Sequence, residues 1–428
     1  MKLFYNIVAL LLADAVLKDV LTGYPFNSSL KVRYFDDLLL IFLYVLTIAI
    51  IAKRKRIPRE VRLFVGMVLS VVVYCFIQSL FGSSLVYNNA FWTLRDNYYH
   101  AIIPVYFLLV IQGRGNTEYY LLKTQHFIFR CVKYFVILEI FFVGFQEVYH
   151  LGTTGSILLE DDVTGSLGFG MSHALSCSII MCLPVLVYLK QWKWFVLALA
   201  IPFLASARGA IVVSLASCGL IYVLVYFRQN SISYQMRRRL AILGVLIAVL
   251  TPSMFTYYNA FSSQHGGAAI DLPVLIDQHT RPLKKKAYTT TKISFLIYNY
   301  HLVQSKGKVW IGTGPGSYAS RTAKVLNAPL YRSVVNRIID GGRLFVGGSS
   351  LNVWLVEYGL IGTILFFLIP WTYIIKYMYS SGLHCFFIGF TFFFCCLLNK
   401  LTEHYSTGLL FWVLFTWSVV LTLRKRMV

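Results

Sequence analysis

LNVWLVEYGLIGTILFFLIPWTYII, residues 351–375, decides how this chain folds. It holds one charged side chain, Glu357, and is long enough for the roughly 20 apolar residues that a helix needs to cross about 30 Å of hydrocarbon. The rest of the chain has the same character: 58% hydrophobic, 16% aromatic and only 13% charged, where globular domains carry about 25% charge. Hydrocarbon forces backbone polar groups to bond internally, and the apolar runs show no strand-like alternation, so helices are expected rather than a barrel. The expected fold class is therefore all-α, a polytopic membrane protein with about twelve transmembrane helices and one large extracytoplasmic loop containing short helices.

The runs that give this expectation lie near 3–22, 36–52, 63–81, 98–112, 127–148, 169–189, 193–207, 209–227, 240–257, 351–375, 384–399 and 406–423. Three parts follow: residues 1–257 with helices 1 to 9, the polar segment 258–350, and residues 351–428 with helices 10 to 12. The start, MKLFYNIVALLLADAVLKDV, is signal-like, but Asp14, Lys18 and Asp19 interrupt it and no A-x-A site follows, so it is expected to stay as a first helix. All eight cysteines fall in apolar runs, without disulfide or metal-ligand spacing.

The segment 258–350 is the one long stretch too polar for a bilayer. It carries twelve Lys and Arg against Asp271, Asp277 and Asp340, a net charge of +9, so an anionic partner is expected there. Within it, Ile293, Leu296, Ile297, Tyr300 and Val303 recur at helical spacing and predict an amphipathic helix over 287–305. Asn327-Ala-Pro329 ends any longer helix, and a second short helix is predicted around 330–340 with Arg332 and Asn336 one turn apart.

Short-loop charge orients the whole. With both termini inside, 19 Lys and Arg fall on the inner face, including the run KRKRIPREVR at 53–62 and the tail Arg424-Lys425-Arg426. The short outer loops hold only Lys31, Arg33, Arg95, Arg208 and Lys400, as the enrichment of cytoplasmic loops in basic residues requires. The segment 258–350 then lies outside, and loops longer than about 60 residues escape that rule.

Four stretches at this outer face hold candidate chemistry. Gly312-Thr-Gly314-Pro-Gly316-Ser-Tyr318 is either a plain turn or a loop whose glycines let backbone approach an oxyanion or sugar. Ser206-Ala-Arg208-Gly-Ala210 puts an arginine beside hydrocarbon, where it pairs with an anion or snorkels to headgroups. Glu357 stands inside the helix that enters from the polar segment; such a carboxylate is a candidate general acid or base, or an internally bonded group. Ser166-Leu-Gly168-Phe-Gly170-Met-Ser172-His173-Ala174 opens the sixth span, with His173 either a proton or phosphate contact or a packed histidine. Glu403 and His404, at the last hairpin, repeat the case of Glu357 more weakly, and Glu160-Asp161-Asp162 is either a solvated loop or a holder for a cation.

Taken together, SARGA at 206–210, GTGPGSY at 312–318, LNVWLVEYGLIG at 351–362 and SLGFGMSHA at 166–174 resemble the O-antigen ligase and polymerase superfamily of bacterial surface-glycan assembly. The resemblance covers residues 160 to 420 and implies inverting glycosyl transfer between undecaprenyl-pyrophosphate-type carriers on the outer side of the cytoplasmic (inner) membrane. It implies pyrophosphate binding by Arg208 and by a second arginine near the start of the loop, matched by Arg281 with Lys284, Lys285 and Lys286 as rivals, and the charge of the segment offers Arg321 as an alternative second arginine. Beside the resemblance, the chemistry of the residues themselves offers Gly314 and Gly316 for the same binding loop, Glu357 with Arg208 for catalysis, and Arg332, His173 and Glu403 as further candidates. Ligases of the superfamily resemble one another in a His-Asn pair nine and eight residues before this Glu, where the present chain has Gly348 and Ser349, which favours the polymerase branch. No cofactor or metal is implied. The implied partners are the lipid-linked oligosaccharide, membrane lipid, a chain-length regulator and a flippase, with no nucleic acid.

Sugar pyrophosphates are already activated donors, so protein groups need only neutralise the leaving diphosphate and orient the hydroxyl. A flippase is the competing class, but its charges line a central cavity and repeat between two halves, whereas here they concentrate in one segment. The topology is testable with introduced cysteines. A thiol at Ser263 is expected to react with a membrane-impermeant reagent from outside and one at Ser231 is not; the reverse pattern overturns the assignment.

Overall fold

The computed structural model describes residues 1–22, 35–54, 57–80, 95, 97–112, 116–155, 163, 165–167, 172–204, 234, 238, 242, 292–320, 323–324, 327–332, 338–339, 342–343, 349–398 and 404–427. The first part of the chain forms α1 (Lys2–Thr22), α2 (Phe35–Lys53), α3 (Arg59–Leu80), α4 (Ile102–Ile111), α5 (Thr117–Thr154), α6 (Ser172–Tyr188) and α7 (Trp192–Leu204). The polar segment contributes α8 (Lys292–Ser305) and two short strands, β1 (Ile338–Ile339) and β2 (Gly342–Arg343). After it come α9 (Ser350–Gly362), a π-helical stretch Thr363–Leu368, α10 (Ile369–Ser381), α11 (Leu383–Leu398) and α12 (Tyr405–Met427).

Among the described residues, four helical stretches are long and apolar enough to cross a membrane: Phe35–Lys53, Arg59–Gln78, Ser350–Ser381 and Tyr405–Met427. The last is the hub of the bundle, packing against α1, α4, α5, α6, α10 and α11. Lipid tails are as apolar as leucine, so helices in a membrane gain by close packing rather than by escaping water. The aromatic content supplies that packing. Phe411 stacks on Phe392 with centroids 4.2 Å apart and also meets Trp371 at 5.3 Å, while Trp417 meets Phe129 and Tyr188 edge-on, each at 5.4 Å. By contrast α2 buries Leu40, Leu43 and Thr47 and exposes Leu38, Ile41, Val45 and Ile48 at helical spacing, an apolar face suited to lipid.

Several polar groups inside the bundle bond locally or across helices. Thr416 donates to the Trp412 carbonyl at 2.9 Å, and the Ser178 hydroxyl donates to Thr407 at 3.1 Å. Arg95 forks onto both oxygens of Asp37 at 2.8 Å with little exposure on either side, the geometry that compensates desolvated charge best.

Two expectations change. The run 127–148 belongs to a longer helix, α5, which starts at the Asn116 cap and stops at left-handed Gly155; its 38 residues span about 57 Å. The helix predicted around 330–340 does not extend that far. Residues 329–332 make a helical turn, but Ile338–Ile339 pair antiparallel with Gly342–Arg343. Two β-branched residues before Asp340-Gly341 carry a hairpin signal that outweighs helical spacing. Arg332 is exposed on that turn, and Asn336 lies outside the described residues.

Candidate functional site

The predicted helix at 351–375 is not continuous. α9 begins where the Ser349 hydroxyl caps the Asn352 amide at 3.2 Å, and it breaks at Gly359, whose φ of 68° and ψ of −174° are open in practice only to glycine. A break inside a buried helix frees backbone groups that must find other partners. The chain satisfies them with residues 309–314, laid against the break. The amides of Leu360 and Ile361 donate to the carbonyls of Val309 and Trp310 at 2.9 and 3.1 Å. In return the carbonyls of Val356 and Glu357 accept from the amides of Thr313 and Gly314 at 2.8 and 3.0 Å. From α3, Tyr74 donates to the Tyr358 carbonyl at 2.8 Å and Gln78 to the Glu357 carbonyl at 3.0 Å, with a second Gln78 bond to the Ile311 carbonyl.

The two segments meet glycine to glycine. Gly312 has φ of 72°, and a Cβ there would come within 2.5 Å of the Glu357 carbonyl oxygen and of the Gly359 amide nitrogen. The close approach that Gly312 allows is thus to the chain's own helix.

The Glu357 side chain completes the unit. It is fully buried. One carboxylate oxygen accepts the Gly316 amide at 2.6 Å, and the other accepts the amides of Tyr318 and Ser320, both at 3.1 Å. A buried carboxylate with three backbone donors is compensated without any cation. Behind it, Tyr318 is buried and its hydroxyl donates to Asn299 of α8 at 2.5 Å; burial holds that phenol well above its ordinary pKa. Val303, Tyr318, Ala319, Val353 and Val356 close a small apolar core between α8, the loop and α9.

So the structure brings Glu357, Gly314 and Gly316 into one hydrogen-bonded unit. His173 stands half-buried in the first turn of α6, and Arg332 stands exposed on the turn that follows Ala328. Arg208, Arg281, Lys286, Arg321 and Glu403 lie outside the described residues.

A second unit of the same kind escaped the sequence reading. Glu139, fully buried in α5, accepts the Ser166 amide at 2.9 Å and also the Ser166 hydroxyl, while Gln146 two turns on exchanges bonds with Gly165 at 2.9 and 3.0 Å. The signal was present in VILEIFFVG, 136–144, which sets one carboxylate in an apolar run just as the 351–362 helix does. No protein-family model matches the sequence, and no curated protein is significantly similar to it.

The geometry predicts a graded loss of stability. Glu357→Gln turns an acceptor oxygen into a donor facing buried amides and is expected to cost about 1–3 kcal/mol for each donor left unpaired. Gly359→Ala is expected to cost more, through both its dihedral angles and the contact with Gly312. Thermal unfolding of the detergent-purified variants, with limited proteolysis across 306–324, checks this; wild-type behaviour in both variants would show that the loop is held in another way.

Proposed function

We propose that this protein is a glycan polymerase of the bacterial cytoplasmic membrane. It joins oligosaccharide repeat units carried on undecaprenyl-pyrophosphate-type lipid into O-antigen or a related surface polysaccharide at the outer face. The supporting observation is that two of the four stretches carrying the resemblance, GTGPGSY and the E-x-G-x-x-G helix, fold into one reciprocally bonded unit at the root of the segment with net charge +9. Two weak motifs that build one unit support the resemblance better than two isolated turns.

In this reading the twelve expected spans hold both termini in the cytoplasm and present residues 258–350 outside. The acceptor hydroxyl attacks the anomeric carbon of the donor, the bond from that carbon to the diphosphate oxygen breaks, and the carrier leaves as its diphosphate, which takes up the proton that the hydroxyl releases. Arg208, with Arg281 or Arg321, neutralises that leaving group, since a guanidinium fork matches phosphate oxygens. Glu357 acts as a positioning residue. Both its oxygens already hold loop amides, so it fixes the 312–320 loop beside the basic side chains rather than carrying the proton. Ser349, standing where ligases have Asn, caps α9.

The test uses purified protein in a bilayer with lipid-linked repeat unit as the sole substrate. A ladder of longer products is expected without nucleotide sugar, and Arg208→Ala is expected to abolish it at normal protein level. Absence of the ladder together with glycosylation of added lipid A core would make the protein a ligase, and full activity in Arg208→Ala would remove the pyrophosphate clamp.

A further inference from the structure

At the end of the bundle that carries the Arg424–Arg426 tail, a cleft separates α3 from α10 and α12. Leu63 and Met67 face Tyr373 and Tyr377 across an open cleft, with α4 behind, and Phe64 meets Trp412 edge-on with ring centroids 6.4 Å apart. Glu60 is the acidic group on its rim, and it is already paired with Arg426 at 2.8 Å. Leu63 and Met67 also line an adjoining open pocket whose other walls include Arg59 and Arg62. The apolar cleft therefore runs directly into a two-arginine mouth.

The cations of this end are not equivalent. Arg54 donates to the Leu109 carbonyl, Arg424 to Gln125 at 3.0 Å, and Lys425 to the carbonyls of Ser380 and Ser381 at 2.9 and 2.8 Å. Arg59 and Arg62 are exposed, and their guanidinium groups make no hydrogen bond or ion pair among the described residues. Two guanidinium groups with free donors, one turn of helix apart, suit a phosphate diester. A slot with aliphatic and aromatic walls suits a hydrocarbon chain, and tyrosines at its edge suit the headgroup boundary.

We infer that this cleft is a specific seat for one anionic phospholipid, its acyl chain against Leu63, Met67, Tyr373 and Tyr377 beside the Phe64–Trp412 contact and its phosphate on Arg59 and Arg62. Charge complementarity selects that occupant: a neutral hydrocarbon or an apolar partner helix leaves both arginines unused, and a free phosphate leaves the cleft unfilled. Basic pockets between membrane helices recognise anionic headgroups in this way. The site lies on other elements than the Glu357 unit and does not depend on the glycan reading.

Trp412 in the cleft wall supplies the probe. The full-length protein is reconstituted in phosphatidylcholine vesicles with a rising mole fraction of phosphatidylglycerol brominated on its acyl chains, and tryptophan fluorescence is recorded. Saturable quenching at low mole fraction is expected, absent with brominated phosphatidylcholine and absent in Trp412→Phe. R59Q/R62Q, which changes only exposed side chains, is expected to raise the half-saturating mole fraction about tenfold or more. Quenching that follows mole fraction alike for both lipids, or that is unmoved by R59Q/R62Q, would show bulk lipid contact only and overturn the proposal.

Discussion

The backbone exchange at the break in α9 is the constraint on which the rest depends. A helix inside a bilayer cannot leave carbonyls and amides bare, because each would cost several kcal/mol. Interrupting one at Gly359 requires a second piece of backbone with the complementary set of groups, placed within a hydrogen bond of it. Residues 309–314 provide that set, and Tyr74 and Gln78 provide the remainder. Neither glycine of the Gly312–Gly359 contact has room for a methyl group, so the loop and the helix determine each other's sequence.

Two buried carboxylates hold described loops to this bundle. Glu357 gathers three amides of the 312–320 loop, and Glu139 gathers the turn at Ser166. Both are buried in helices, and each trades hydration for backbone donors, which are fixed in place and lose little freedom on bonding. Lys306, Lys324 and Arg332 are all exposed, so their charge acts on the surroundings of the protein.

Composition and apolar run length made the helical membrane character legible, since both follow from the solvent the helices must meet. Helix ends were legible where a cap residue stands, as at Asn116 and Gly155 of α5, although the run 127–148 alone understated that helix. The break in α9 was not. Gly359 sits in an apolar run like Gly362 beside it, and only the distant loop 309–314 tells the two apart. For the same reason Glu357 could be read from sequence either as a proton carrier or as an internally bonded group, because its partners are backbone amides some 40 residues earlier, whose direction no side-chain pattern reveals. The strand pair at 338–343 was misread because helical spacing was weighed over the Asp-Gly turn signal.

The order of the partners along the chain has a consequence for how the protein is made. Everything that completes the interrupted helix, namely Tyr74, Gln78 and residues 309–314, is synthesised before residue 350. Chains fold from the amino-terminal side as they emerge. When α9 leaves the ribosome its complement has therefore already been synthesised, so the broken helix does not wait for a later part of the chain. The reverse order would expose a gap in the backbone ladder for as long as the later segment took to arrive. Placing the discontinuous helix after its complement removes that interval.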